Sequence, residues 1–138
     1  MDCELAQYAF ELSEYAAVLC ELKGELLSAQ RAHLERDCDA MHARAMVQKS
    51  LCDRVVVLRR RLRNSARPLS YIQVWPGRVV NLRTYIVRME GDIRSLNTAN
   101  QTVIRGACRT FKILANAIAS LSPTYGNPAS WGAGEFAR

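Results

Sequence analysis

Apolar residues early in the chain fall at Leu5, Tyr8, Leu12, Tyr15, Leu19, Leu22 and Leu26, alternately three and four positions apart. That spacing lines one face of an α-helix and carries the repeat of a coiled coil. After Leu26 the stripe slips by one residue and resumes at Leu34, Cys38, Met41, Ala45, Cys52, Val55 and Leu62. No proline and a single glycine, Gly24, interrupt the stretch, so the pattern predicts a long first helix over about residues 3–64. Gly24 costs about 1 kcal/mol relative to alanine inside a helix, which makes residues 24–33 the expected place for any break.

Residues 65–78 are punctuation. Pro68 and Pro76 push Arg67 and Trp75 out of helical geometry, and Pro76-Gly77 is a turn signal. Ser70–Val74 reads as a short extended piece between them. Tyr71, Ile72, Val74 and Trp75 are too apolar for a free linker, so this loop is expected to pack back on the helices.

A second helix is predicted over about residues 79–122. With Val79 at an a position, the a residues are Val79, Ile86, Ile93, Asn100, Ala107, Leu114 and Leu121. The d residues are Leu82, Met89, Leu96, Val103, Thr110 and Ala117, and eleven of the thirteen a and d positions are apolar. Ile104, Phe111 and Ile118 widen the stripe in the second half, which suits a bundle better than a two-stranded seam. Asn100 reads either as a register-fixing polar residue in an assembly or as a hydrated side chain at an edge. Pro123 ends the helix, and residues 123–138 form a tail of glycine, small residues and three aromatics, either flexible or laid as a strap over an apolar groove.

The expected fold is therefore all-α: one helical domain over residues 1–122 and then the tail. The short connection favours a long antiparallel helical hairpin or coiled coil. In such a hairpin the second helix stops opposite the middle of the first, leaving the stripe near the N-terminus uncovered. A second copy is the expected cover, giving a dimeric or higher helical bundle. Leu5, Tyr8, Leu12, Tyr15, Leu19, Leu22, Leu26 and Asn100 are accordingly assigned to an oligomer interface.

Charge changes this picture. Residues 1–39 carry nine acids against three bases, and residues 40–112 carry fifteen bases against three acids, within a chain of 138 residues and net charge +6. Arginine outnumbers lysine sixteen to three. A basic half of this size needs an anionic partner, either a polyanion or the acidic half of another copy. The hairpin would place Arg54, Arg59, Arg60, Arg61, Arg63 and Arg67 beside Arg78, Arg83, Arg88 and Arg94.

Those ten arginines point first to a non-enzymatic oligomer that binds nucleic-acid phosphates, which the planar guanidinium fork suits. Long helices carrying arginine can lie across a duplex and read its backbone, as proteins that bind double-stranded RNA do, so RNA is favoured. No zinc finger, RNP motif or GxxG loop supports readout of bases. The alternative is a coiled-coil scaffold or assembly subunit whose acidic and basic halves mediate self-association or docking to an acidic protein surface. Val55–Leu58 among arginines also has the look of an interfacial membrane helix, but those residues continue the core stripe.

Other chemistry finds little footing. The five cysteines are odd in number, form no CxxC and read as small buried apolar residues in a reducing compartment. Cys38 and His42 share a helical face, yet two ligands make only a weak metal candidate, and His33 and His42 lie on opposite faces. There is no Gly-rich phosphate loop, no GxSxG and no apolar-set carboxylate pair, so neither an enzyme nor a cofactor is expected. No apolar run approaches the ~20 residues of a membrane span. The N-terminus is acidic where a signal peptide is basic, so an intracellular location, cytoplasmic or nuclear, is expected.

Overall fold

The computed structural model of the chain describes residues 2–121. They form α1 (Asp2–Glu35), α2 (Cys38–Ala66) and α3 (Gly77–Leu121), with a short 3₁₀ turn over Arg67–Leu69. No strand occurs among the described residues, so the all-α reading holds.

The single helix over residues 3–64 is corrected to two. Arg36 takes a left-handed conformation, φ 54°, rare outside glycine. Its N–H donates to the carbonyl of His33 at 3.3 Å, and that of Asp37 reaches back to the carbonyl of Ala32 at 3.1 Å. These two bonds close α1 in a Schellman turn. Asp37 then starts the next helix, its Oδ1 accepting the Ala40 N–H at 3.0 Å. Stop and start together occupy two residues, with no glycine or proline. Gly24, by contrast, stays inside α1 with open space around it.

Because the chain reverses at Arg36–Asp37, the antiparallel hairpin is α1 with α2. Their Cα atoms approach within 8 Å along the seam. Arg44 Nη1 meets Glu25 at 3.0 Å, Arg54 meets Glu21 at 3.7 Å, and Ser65 donates to Glu11. Contacts from α3 advance in step with α1. Tyr15 donates to Glu90 Oε1 at 2.8 Å, Lys23 to Asp92 at 2.9 Å, and Asn100 Nδ2 to the Leu26 carbonyl at 3.1 Å. Residues 2–100 are thus an up-down-up three-helix bundle, with α3 parallel to α1.

This arrangement gives the residues assigned to an interface a place in the core of one chain. Tyr8, Leu12, Tyr15, Leu19, Leu22, Leu26 and Asn100 are buried within the same chain, and Leu5 packs against that core. The extra reversal gives α1 two neighbours instead of one, so the stripe has its cover without a second copy. The loop packs back as expected. Leu69 is fully buried, while Ile72 and Trp75 rest on the core. Burying one leucine side chain contributes roughly 2 kcal/mol. Ser70–Val74 is turn rather than extended chain, with the Ile72 N–H on the Leu69 carbonyl at 3.1 Å; Tyr71 and Val74 face solvent.

The fold divides after Asn100. Residues 101–121 are helical, and Val103, Ile104, Ile113 and Leu114 are exposed. The tail assigned to residues 123–138 lies outside the described residues. All five cysteines are exposed, which corrects their expected place in the core. They lie off the buried stripes of their helices.

Candidate nucleic-acid interface

The charge halves seen in the sequence become properties of separate helices. Over Asp2–Glu35, α1 carries seven acids and two bases, net −5; over Cys38–Ala66, α2 carries two acids and seven bases, net +5. The two lie against each other, so the acidic half meets a basic partner inside its own chain. Over Gly77–Leu121, α3 carries two acids and seven bases, again net +5. Both of its acids, Glu90 and Asp92, are engaged by α1. The excess positive charge of the protein therefore resides on α3 and Arg67.

Four of the ten predicted arginines lie near acids or rings of the bundle, Arg54 and Arg83 in direct contact. Arg54 and Arg61 line a groove between α1 and α2 together with Glu14, Glu21, Asp53 and Val57. Three acids against two bases give that groove no preference for anions. Arg59 approaches Tyr15 beside Glu90. Burial, then the hydrogen bond and charge of Glu90, hold the Tyr15 hydroxyl well above the usual tyrosine range, while the Arg59 charge pulls the other way. The Arg83 guanidinium lies 4.5 Å from the Trp75 ring centroid and 5.9 Å from that of Tyr8, and the two rings are 5.5 Å apart. Such cation–π contacts contribute about 1 kcal/mol each. They clamp the loop onto the start of α1 and occupy a face of Trp75.

The other six are Arg60, Arg63, Arg67, Arg78, Arg88 and Arg94. All are exposed, and among the described residues none has a carboxylate within 4 Å. Arg60 and Arg63 stand on the side of α2 away from Leu51 and Leu58, and Arg67 follows one turn later. At 1.5 Å rise per residue these three form a row with steps of about 5–6 Å. On α3, Arg78, Arg88 and Arg94 lie off the stripe of Val79, Ile86 and Met89. The ten arginines are thus not one face: Arg54 and Arg83 are in direct contact with Glu21 and Trp75, Arg59 and Arg61 lie near acids of the bundle, and the other six stand apart.

Sequence reading missed the pairing of α1 with α2. Its signal was the near-equal and opposite charge of residues 2–35 and 38–66. It also missed the buried Glu11, held by Gln7 Nε2 at 2.9 Å and by Ser65.

Among the described residues, no group of three His, Cys, Asp or Glu side chains is placed to hold a metal ion, and no helix is long and apolar enough to cross a membrane. Comparison with protein-family models, curated proteins and solved structures finds no match.

Proposed function

We propose that this is a non-enzymatic helical protein that binds nucleic-acid phosphates, with duplex RNA the favoured form. The observation that carries the reading is the split among the arginines. The α1–α2 seam engages Glu11, Glu21 and Glu25 of α1, yet Arg60, Arg63, Arg67, Arg78, Arg88 and Arg94 stay exposed with no carboxylate within 4 Å among the described residues. Arginine left in water at six places, with no acid to match, supports binding to a partner that brings its own negative charge. The seam also weakens the alternative in which acidic and basic halves hold separate copies together, because Glu21 and Glu25 already meet Arg54 and Arg44 within the chain. Trp75, engaged by Arg83, is not offered for stacking on bases, so backbone contact rather than base reading is the proposed mode.

The test is fluorescence anisotropy with a labelled duplex RNA of about 20 base pairs, using duplex DNA and single-stranded RNA as competitors. Six phosphate contacts predict affinity falling about 10³-fold between 50 and 200 mM salt. Arg60, Arg63 and Arg67 changed together to Glu should weaken binding at least about tenfold. Arg54→Glu, inside the charged groove, should change it by less than about twofold. Equal losses from both variants would show net charge, not this surface, at work.

A further inference from the structure

Residues 101–121 are a helix with an unusual division of its surface. Continuing the heptad, Ala107, Leu114 and Leu121 take a positions and Val103, Thr110 and Ala117 take d positions. Ile104 sits at e and Ile113 at g, beside the same seam. Val103, Ile104, Ile113 and Leu114 are all exposed, Leu114 by 56%. The three charged residues, Arg105, Arg109 and Lys112, occupy only c and f positions. At about 100° per residue they lie roughly 120–180° around the helix from the centre of the stripe.

These four exposed side chains give the helix an apolar face suited to a partner. A contiguous apolar patch of a few hundred Å² marks an interaction site. The segment is also a poor helix former by itself, with Thr102, Val103, Ile104, Thr110, Ile113 and Gly106 in 21 residues. Helices of such composition draw their stability from packing rather than propensity.

The placement of charge identifies the cover. An anionic membrane or an acidic partner would be met by cations bordering the apolar stripe, and here the e and g positions, Ile104, Phe111, Ile118, Gly106, Ile113 and Ser120, carry no charge. A matching surface must be as wide, as apolar and as free of charge at its edges. The chain itself supplies one. Two copies meeting stripe to stripe bury their apolar positions against each other and leave the cations of both on the outside, about a helix diameter from the seam. We propose that residues 101–121 are the self-association element of this protein, pairing with the same segment of a second copy. The inference stands on the helix alone and does not depend on phosphate binding by the arginines.

The experiment is light scattering on the full chain, freed of nucleic acid, over a range of concentrations at moderate salt. The expected result is a mass of two copies or a small multiple. Ile104→Asp with Leu114→Asp should reduce it to one copy while the bundle keeps its melting temperature. Asn116→Asp, the same charge at a c position, should leave the mass unchanged. A monomeric wild-type chain would overturn the proposal, as would an oligomer indifferent to the double substitution. A monomer that co-sediments with anionic vesicles, and loses this with the double variant, would assign the face to a membrane surface instead.

Discussion

Leu12 and Leu114 are the same residue in the same kind of stripe, yet they have opposite surroundings. Leu12 in α1 is 4% exposed and Leu114 in α3 is 56% exposed. Up to Asn100 the stripes of α1 and α3 pack into one core, and beyond it Val103, Ile104, Ile113 and Leu114 of the same helix are exposed. A heptad pattern reports that a face is apolar. It does not report whether the cover is internal or belongs to another molecule, and the two cases differ in what a charge placed there would do.

The largest effect expected follows directly. Leu12→Asp puts a charge into a packed core and should cost more than about 4 kcal/mol, enough to unfold most of the bundle. Leu114→Asp should shift the unfolding free energy of the bundle by less than about 0.5 kcal/mol. Paired urea titrations followed by circular dichroism make the comparison. If both variants lose stability alike, the division after Asn100 has no energetic meaning.

A smaller effect probes how α1 holds α3. Tyr15→Phe deletes the hydrogen bond to the Glu90 carboxylate and should cost about 2 kcal/mol at neutral pH. The hydroxyl titrates above its ordinary value of 10.0 in the folded chain. Its contribution is therefore complete below pH ~10 and is lost as pH rises through the folded value. The wild-type chain should lose stability on going above pH ~10, and the phenylalanine variant should lose less. Parallel slopes in alkaline unfolding curves would show that Tyr15 remains protonated for no structural gain.

The smallest effect lies at the reversal that creates the bundle. Arg36 holds φ at 54°, where a side chain is strained, so Arg36→Gly should stabilise by about 1 kcal/mol. A loss in thermal unfolding would mean that the arginine side chain holds the turn.

Much of the fold was legible along the chain. The stripes of α1 and α3, the loop at residues 65–78 and its packing through Trp75 follow from spacing and from turn residues. The break at Arg36–Asp37 was harder to see. It uses a left-handed arginine and a capping aspartate, both of which read as ordinary surface charges inside a long helical pattern. That one turn altered everything built on it. It replaced two helices by three, moved Tyr8, Leu12, Tyr15, Leu19, Leu22 and Leu26 from an expected interface into the core, and laid α1 against the basic α2.

The candidate site was half legible for the same reason. The arginines stand in plain view in the sequence, but whether each is spent or unspent depends on neighbours distant in the chain. Arg54 is engaged because Glu21 faces it, Arg83 because the loop brings Trp75 over it, and Arg60 stays unpaired because it points away from both. Composition and periodicity by themselves determined that the protein is helical, that its apolar faces demand cover and that it carries an excess of arginine. Only the tertiary structure decided which faces are covered internally and which arginines are already paired. Helical periodicity is a local property of residues three and four apart, whereas burial and ion pairing join residues tens of positions apart and are set by where the chain turns.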